Sequence, residues 1–338
     1  MQAMILERTC SLMDEDEPLR LVDVPTPEPG AGEVMIEVSV CGVCHTELDE
    51  IEGRTPPPRF PVIPGHQIVG RVVALGNQVQ NLSLGDRVGV GWIHHSSGLK
   101  DENISSEFVA TGRDVDGGYA EFMCVAERYA FPIPEIFTDA QAAPLLCAGA
   151  IGYRALKLTG LKDGDRLGLM GFGGSAHLVL QLTRYLFPQS SIYVFARNEE
   201  TRKFASKMGA DWVGESKAPD LLHAIIDTTP AWTPVVQAMG NLKPGGRLVI
   251  NAIRKEDDDK QALLKLSYSD HLWMEKEIKS VANISGEDIR EFLAIAASVP
   301  IFAEIETYPL AAANRALVDL KRGSVRGAKV LVVRGSLQ

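Results

Sequence analysis

No stretch of the 338-residue sequence reaches the roughly 18 consecutive apolar residues that a membrane-spanning helix requires. Positive charge is in deficit, with 34 Lys and Arg against 44 Asp and Glu, a formal balance of −10. That balance argues against a nucleic-acid partner, which would call for a basic face. Cysteine is scarce: Cys10, Cys41, Cys44, Cys124 and Cys147 are too few and too scattered for a disulfide framework. The first residues, MQAMILERTC, turn acidic at positions 14–17, unlike the basic-then-apolar order of a secretion leader. Internal repeats and low-complexity tracts are missing as well. These absences leave a cytoplasmic protein without membrane or nucleic-acid partners as the expectation. The acidic runs 14–17 and 256–259 then read as solvated surface.

Hydrophobic residues make up 45% of the chain and charged residues 23%, enough apolar material for sizeable cores. At roughly 100–200 residues per domain, the length suggests about two domains. Up to about residue 140 the chain is rich in Gly, Pro and β-branched residues. Alternating segments such as Val34-Met35-Ile36-Glu37-Val38, bounded by turns such as Glu28-Pro29-Gly30, read as a partly open β-barrel or sandwich. Residues 139–158, rich in Ala and Leu, suggest helix. An alternating series follows, with strands at 166–170, 192–195, 224–227, 247–251 and 277–281, and helices at 176–186, 199–208, 234–241 and 260–271. Such alternation argues for a parallel, doubly wound sheet. A helix from about 286, a segment at 304–309, a helix at 311–322 and a strand at 329–333 close the chain.

The strand at 166–170 runs directly into Gly171-Phe172-Gly173-Gly174-Ser175-Ala176 and then an apolar helix. This is G-x-G-x-x-A in a strand–turn–helix setting, the pattern of a dinucleotide site. Gly171 permits the tight turn and Gly173 lets the backbone approach a pyrophosphate. Gly174 and Ser175 complete the turn, and Ala176 is small enough for close helix–sheet packing. The helix N-terminus then faces the anion. An NAD site usually ends its second strand in Asp or Glu, about 20 residues beyond the glycines. Here Ile192-Tyr193-Val194-Phe195 is followed by Ala196-Arg197-Asn198, with no acid and one arginine. A guanidinium pairs a 2′-phosphate through charge-assisted hydrogen bonds, so NADP is expected over NAD. An exposed cation at a strand end is the other reading of Arg197.

Three segments of the first half carry metal-ligating residue types. They are Cys41-Gly42-Val43-Cys44-His45-Thr46-Glu47, Pro64-Gly65-His66-Gln67, and Cys147 within Leu145-Leu146-Cys147-Ala148-Gly149. A lone C-x-x-C suggests a redox pair or half a zinc site, and no second C-x-x-C completes a four-cysteine cage. A catalytic zinc needs three protein ligands and an open position, and two cysteines with one histidine are an attested set.

Together with Asp116-Gly117-Gly118-Tyr119-Ala120-Glu121, these runs resemble zinc-dependent alcohol dehydrogenases of the medium-chain dehydrogenase/reductase superfamily, from about Gly30 to Val333. The resemblance implies an α/β protein of two domains. One is a GroES-like, partly open β-barrel catalytic domain at 1–148 and 286–338. The other is a Rossmann dinucleotide-binding domain at 149–285, inserted into it in sequence. By position, Cys44, His66 and Cys147 match the three catalytic zinc ligands, whereas Cys41 matches none and reads as a small buried thiol. Thr46 matches the hydroxyl that links the substrate oxygen to a proton relay. His45 matches a position facing the cofactor pyrophosphate, and an ordinary polar loop histidine is the competing reading. Glu47 matches a carboxylate behind the zinc. Trp92 reads either as lining the substrate cleft or as ordinary packing.

The sequence also departs from that family. Gln67 stands where a glutamate usually follows the ligand histidine, which leaves the site one unit more positive and implies a more acidic bound alcohol. Asp49 occupies the position of a relay histidine. The loop 92–108, where many members hold a structural zinc on four cysteines, has none; His94 and His95 alone cannot build that cage, so one zinc per chain is expected. Near the C-terminus the usual pyrophosphate arginine is replaced by Ala328, and either Arg326 or Lys329 would supply the charge. The activity expected is reversible hydride transfer between a small-molecule alcohol and NADP, with NAD possible, in a homodimer or homotetramer. A zinc-independent C=C reductase of the same superfamily and a non-catalytic NADP-binding sensor are the alternatives.

Overall fold

The computed structural model describes residues 1–299, 301–323 and 327–334, and the chain divides into two compact units, Met1–Ala150 with Asn283–Gln338, and Ile151–Ala282. Among the described residues, no helix is long and apolar enough to cross a membrane.

The first unit is organised by the 11-residue strand Glu33–Val43. Its even-numbered residues Val34, Ile36, Val38 and Val40 are buried, the period-2 signature of a sheet with one face in a core. It pairs antiparallel with Ala328–Val332, Ile68–Leu75 and Phe122–Ala126. The sheet continues through Arg87–Val90 to Phe131–Pro132 on one side and Ile305–Pro309 on the other. At the end of the central strand alternation stops, and Cys41, Gly42 and Val43 are all buried. A strand buried on both faces leads straight into the helix His45–Ile51.

The helix expected over 139–158 is broken. Asp139–Ala142 is followed by a 3-10 turn, Ala143–Leu146, and a new helix starts at Ala148. Pro144 has no N–H for a continuing α-helix. Cys147, at φ −130° and ψ −74°, sits in the break with its side chain off either helix.

The second unit is a six-stranded parallel sheet with the order Trp212–Gly214, Ser191–Phe195, Arg166–Met170, Leu222–Asp227, Leu242–Ile250, Glu277–Ser280. Numbered along the chain this is 3-2-1-4-5-6, the doubly wound order, whose reversal point lies between Arg166–Met170 and Leu222–Asp227. Strand residues Leu167, Leu169, Ile192, Val194, Ile225 and Ile226 are fully buried, as strands covered on both faces require.

Two expectations fail here. The stretch 260–271 forms a 3-10 turn, Lys260–Lys265, and a π-type turn, Tyr268–Leu272, rather than one α-helix. Ser267 and His271 explain the break: Ser267 N donates to His271 Nδ1 at 3.0 Å and Ser267 Oγ accepts from Asp270 N, local bonds that compete with the helical ladder. Nor is the acidic run 256–259 wholly solvated surface. Asp259 accepts from Trp232 N (2.9 Å) and Thr233 N (2.7 Å), satisfying donors at the start of helix Thr233–Asn241.

Candidate metal centre and dinucleotide turn

Among the described residues, Cys44, His66 and Cys147 are the cluster of potential metal-ligating side chains that converges, with their donor atoms all within 4.8 Å of one another. Three different local structures deliver them. Cys44 ends the strand–helix junction, His66 lies between the turn at Gly65 (φ +98°) and strand Ile68–Leu75, and Cys147 occupies the helix break. Gly65 has to be glycine, because a Cβ there would lie 2.4 Å from the Tyr119 ring and 2.9 Å from Cys41 Sγ.

Glu47 ties two of these ligand candidates together. Its Oε2 accepts from Cys44 N at 2.8 Å. Its Oε1 lies 2.7 Å from His66 Nδ1, a close polar contact without the alignment of a full hydrogen bond. With a carboxylate on Nδ1, the proton is favoured there, and Nε2 turns its lone pair toward the sulfurs, 3.2 Å from Cys147 Sγ. The Cys44 thiol is held well below its usual pKa by the Cys147 thiol and by His66, against the opposing effect of burial. An acidified sulfur, a second sulfur and an imidazole with a free ring nitrogen suit a tetrahedral, borderline-soft cation such as zinc. The donor set therefore fits a metal.

The other expected residues surround this cluster. Thr46 Oγ1 is 3.5 Å from Cys44 Sγ. Gln67 is buried and its side chain lies over Gly42, where an added Cβ would sit 2.4 Å from Gln67 Oε1. Trp92 is buried and meets His66 edge-on, with ring centroids 4.9 Å apart at 76°. His45, the first residue of its helix, is exposed. Asp49 is buried and engaged by Arg54, whose Nε and Nη2 both lie 2.6 Å from Oδ1. Cys41 is fully buried, and burial pushes its thiol pKa up, as expected for a packed thiol.

Sequence reasoning missed three residues here. Arg54 lies five positions after Asp49 and beyond helix His45–Ile51, a spacing that the i,i+3 and i,i+4 pairing of helices does not mark. Glu102 and Asn283 carried no local signal: Glu102 is buried in the cysteine-free loop, and Asn283 bonds Trp92 across 191 residues.

In the parallel-sheet unit, Gly171 takes φ +82°, and a Cβ there would lie 2.9 Å from Thr228 Oγ1. Gly173 and Gly174 have nothing within 4 Å of the same position, so their outer face is open to a ligand. Ser175 precedes helix Ala176–Leu186, and Ala176 is fully buried, as close helix–sheet packing demands. Ala196 N donates to Gly214 O (2.8 Å) at the end of the second strand, and Arg197 beyond it is exposed. Arg202 Nη1 knits this corner by donating to Ala196 O and Arg197 O, both at 2.8 Å. Arg197 thus stands on a braced turn. The residues fit a dinucleotide phosphate at the turn, and Arg197 places a cation at the strand end.

Lys329 is not a free cation. Its side chain is 1% exposed, and its ammonium lies 2.9 Å from Glu306 and 2.6 Å from the Tyr308 hydroxyl. Its charge is spent inside the C-terminal strand pair, which speaks against Lys329 as the phosphate cation. Arg326 lies outside the described residues.

Residues 30–135 match the alcohol dehydrogenase GroES-like domain family. A probable alcohol dehydrogenase of Mycobacterium tuberculosis is 39% identical over 329 residues, covering 94% of this chain and 93% of the relative. An alcohol dehydrogenase of Geobacillus stearothermophilus is 30% identical, covering 94% and 97%. Among solved structures, a cinnamyl alcohol dehydrogenase of Sorghum bicolor superposes with a TM-score of 0.83 at 25% identity, over 99% of this chain and 98% of that one. The chain is thus a zinc-type alcohol dehydrogenase of the medium-chain dehydrogenase/reductase superfamily by membership, an oxidoreductase acting on CH–OH groups with a GroES-like and a Rossmann domain.

Proposed function

We propose that the protein is a zinc-dependent, NADP-preferring alcohol dehydrogenase that interconverts a primary or secondary alcohol with its aldehyde or ketone. The observation that carries this reading is the convergence of Cys44, His66 and Cys147 within 4.8 Å, with Glu47 behind the imidazole. When bound, zinc supplies a Lewis acid for the substrate oxygen and the nicotinamide supplies the hydride acceptor. The chain's own groups do the rest. Cys44, His66 and Cys147 hold the metal, and Glu47 keeps the His66 proton on Nδ1. The Thr46 hydroxyl, able both to donate and to accept, holds the proton that leaves the alcohol. Asp49, one helical turn on, is the acidic group on the exit route, its charge balanced by Arg54. Gly171, Gly173, Gly174, Ser175 and Ala176 seat the pyrophosphate at a helix N-terminus, with His45 as a further contact, and Ala196 and Arg197 receive the 2′-phosphate.

A cytoplasmic homodimer or homotetramer is part of the same reading. Strand Glu277–Ser280 ends its sheet with all four residues exposed, Ile278 among them, and Trp273 and Met274 are exposed just before it. An exposed sheet edge with apolar side chains next to it supports pairing with a second copy.

The test combines metal analysis, chelation and a panel of alcohols, ketones and enones with both cofactors. One zinc per chain, and alcohol oxidation lost with it, is the expected result. Enone reduction that survives chelation, or two zincs per chain, would overturn it.

A further inference from the structure

We propose that Asn283 is a positioning residue for the metal centre: it locks the plane of Trp92, and Trp92 in turn fixes the ring of His66. This rests on the metal-site reading above. The Trp92 indole, only 8% exposed, stands edge-on to His66 at 4.9 Å, so any rotation of the indole changes the space left for the imidazole. The one polar atom of that indole, Nε1, donates to Asn283 Oδ1 at 3.1 Å. The other arm of the same amide, Nδ2, donates to Asn103 O at 2.8 Å. This amide has a single workable orientation. Flipped, it would oppose two donors at the indole and two acceptors at the carbonyl.

Both sides of the bracket are anchored. Asn283 has φ +53°, the left-handed region that Asn tolerates better than other non-glycine residues. Two residues on, Ser285 caps helix Gly286–Ser298, its Oγ accepting from Asp288 N at 3.2 Å. On the loop side, the carboxylate of buried Glu102 accepts from Gly286 N at 2.7 Å and from the Tyr129 hydroxyl at 2.9 Å. Ser96 Oγ donates to the Glu102 carbonyl at 2.6 Å. Asn103 is therefore presented by a braced turn, and Asn283 joins that turn to the indole. His66 has its Nδ1 side set by Glu47 and its ring faced by Trp92, so the amide reaches the metal centre through one ring contact.

Metal-site partners that act through a ligand typically change metal affinity by about tenfold to about a hundredfold when removed. The experiment measures zinc affinity by competition with a chromophoric chelator, with folding followed in parallel by circular dichroism. Asn283→Gly keeps the left-handed backbone accessible and deletes both side-chain bonds, and should weaken zinc by about tenfold or more. Trp92→Phe keeps a ring beside His66 without the N–H, and should match it. The double variant should be no weaker than either single one, because both remove the same bond. Asn283→Asp keeps the acceptor for the indole but sets an oxygen against the Asn103 carbonyl, and should fall between Asn283→Gly and the wild type. Unchanged affinity in a folded Asn283→Gly or Trp92→Phe protein would overturn the proposal, as would losses that simply add in the double variant. Should Asn283→Gly not fold, Trp92→Phe against the wild type decides by the same criterion. A wild-type protein that binds no zinc would instead overturn the metal reading, a distinct outcome.

Discussion

Lys255 encloses its ammonium at the carboxyl end of a central strand, paired with Asp227 and with side-chain exposures of 8% and 0%. The three donors of the ammonium meet three acceptors: Asp227 Oδ2, Thr229 O at 2.7 Å and Ala231 O at 3.0 Å. The other Asp227 oxygen accepts from Thr229 N and Thr229 Oγ1. The turn after this strand, whose Thr228 sits against Gly171, is thus wound around one ion pair. Removing one member of a buried pair strands the other charge. Lys255→Met should therefore cost about 3–5 kcal/mol of stability in urea unfolding. A loss under about 1 kcal/mol would show that water reaches Asp227 and carries its charge.

Arg197 sets cofactor preference in the proposed function. One or two charge-assisted hydrogen bonds, at about 1.5–3 kcal/mol each, correspond to a factor of about ten or more in affinity. Arg197→Ala should lower kcat/KM with NADP by at least about tenfold and leave NAD nearly untouched. Equal losses with both cofactors, or a wild type that prefers NAD, would remove the arginine from that role.

Gln67 leaves the ligand cluster without the negative charge that glutamate would bring to the same buried position. Gln67→Glu should shift the pH–rate profile of alcohol oxidation to higher pH, because an added anion disfavours loss of a proton nearby. It should also change turnover. An unchanged profile and rate would mean the side chain serves only to pack against Gly42.

His94 gives a stability test with a defined sign. Its ring is partly buried, with Nε2 3.2 Å from Cys124 O, and burial holds its pKa below the usual 6.5. As pH falls through that value the unfolded chain takes up the proton first. The contribution of the neutral ring is thus present above about pH 6.5 and is lost as pH falls toward the folded value. The wild type should lose stability relative to His94→Gln as pH falls below about 7, followed by thermal unfolding. Parallel curves for the two proteins would contradict this.

What could be read from the sequence was whatever is written locally or in ordered motifs. The G-x-G-x-x-A turn announces itself because strand, glycines and helix are contiguous. The three ligand candidates stand in separate runs, each recognisable by its neighbours. The remainder depends on pairings between distant positions. The Trp92–Asn283 bond joins residues 191 apart, and neither is marked by composition or periodicity. In sequence Asp259 reads as one more acid in a charged run, since its partners at the start of helix Thr233–Asn241 lie 26 and 27 residues upstream. Lys329 illustrates the converse: its sequence position suited a phosphate contact, but strand pairing turned its side chain inward to Glu306. Pro144 could have warned that the helix over 139–158 must break, and that break is what presents Cys147.

The two oxygens of Glu47 reach different ligand candidates, one holding the backbone of Cys44 and the other standing against the ring of His66. The spacing between those two donors is consequently written in the polypeptide itself. An arriving ion does not have to recruit them from separate, wandering segments. In the proposed function the folded chain would then meet its ion as a preformed receptor, and such a site would stay open to exchange with other borderline cations.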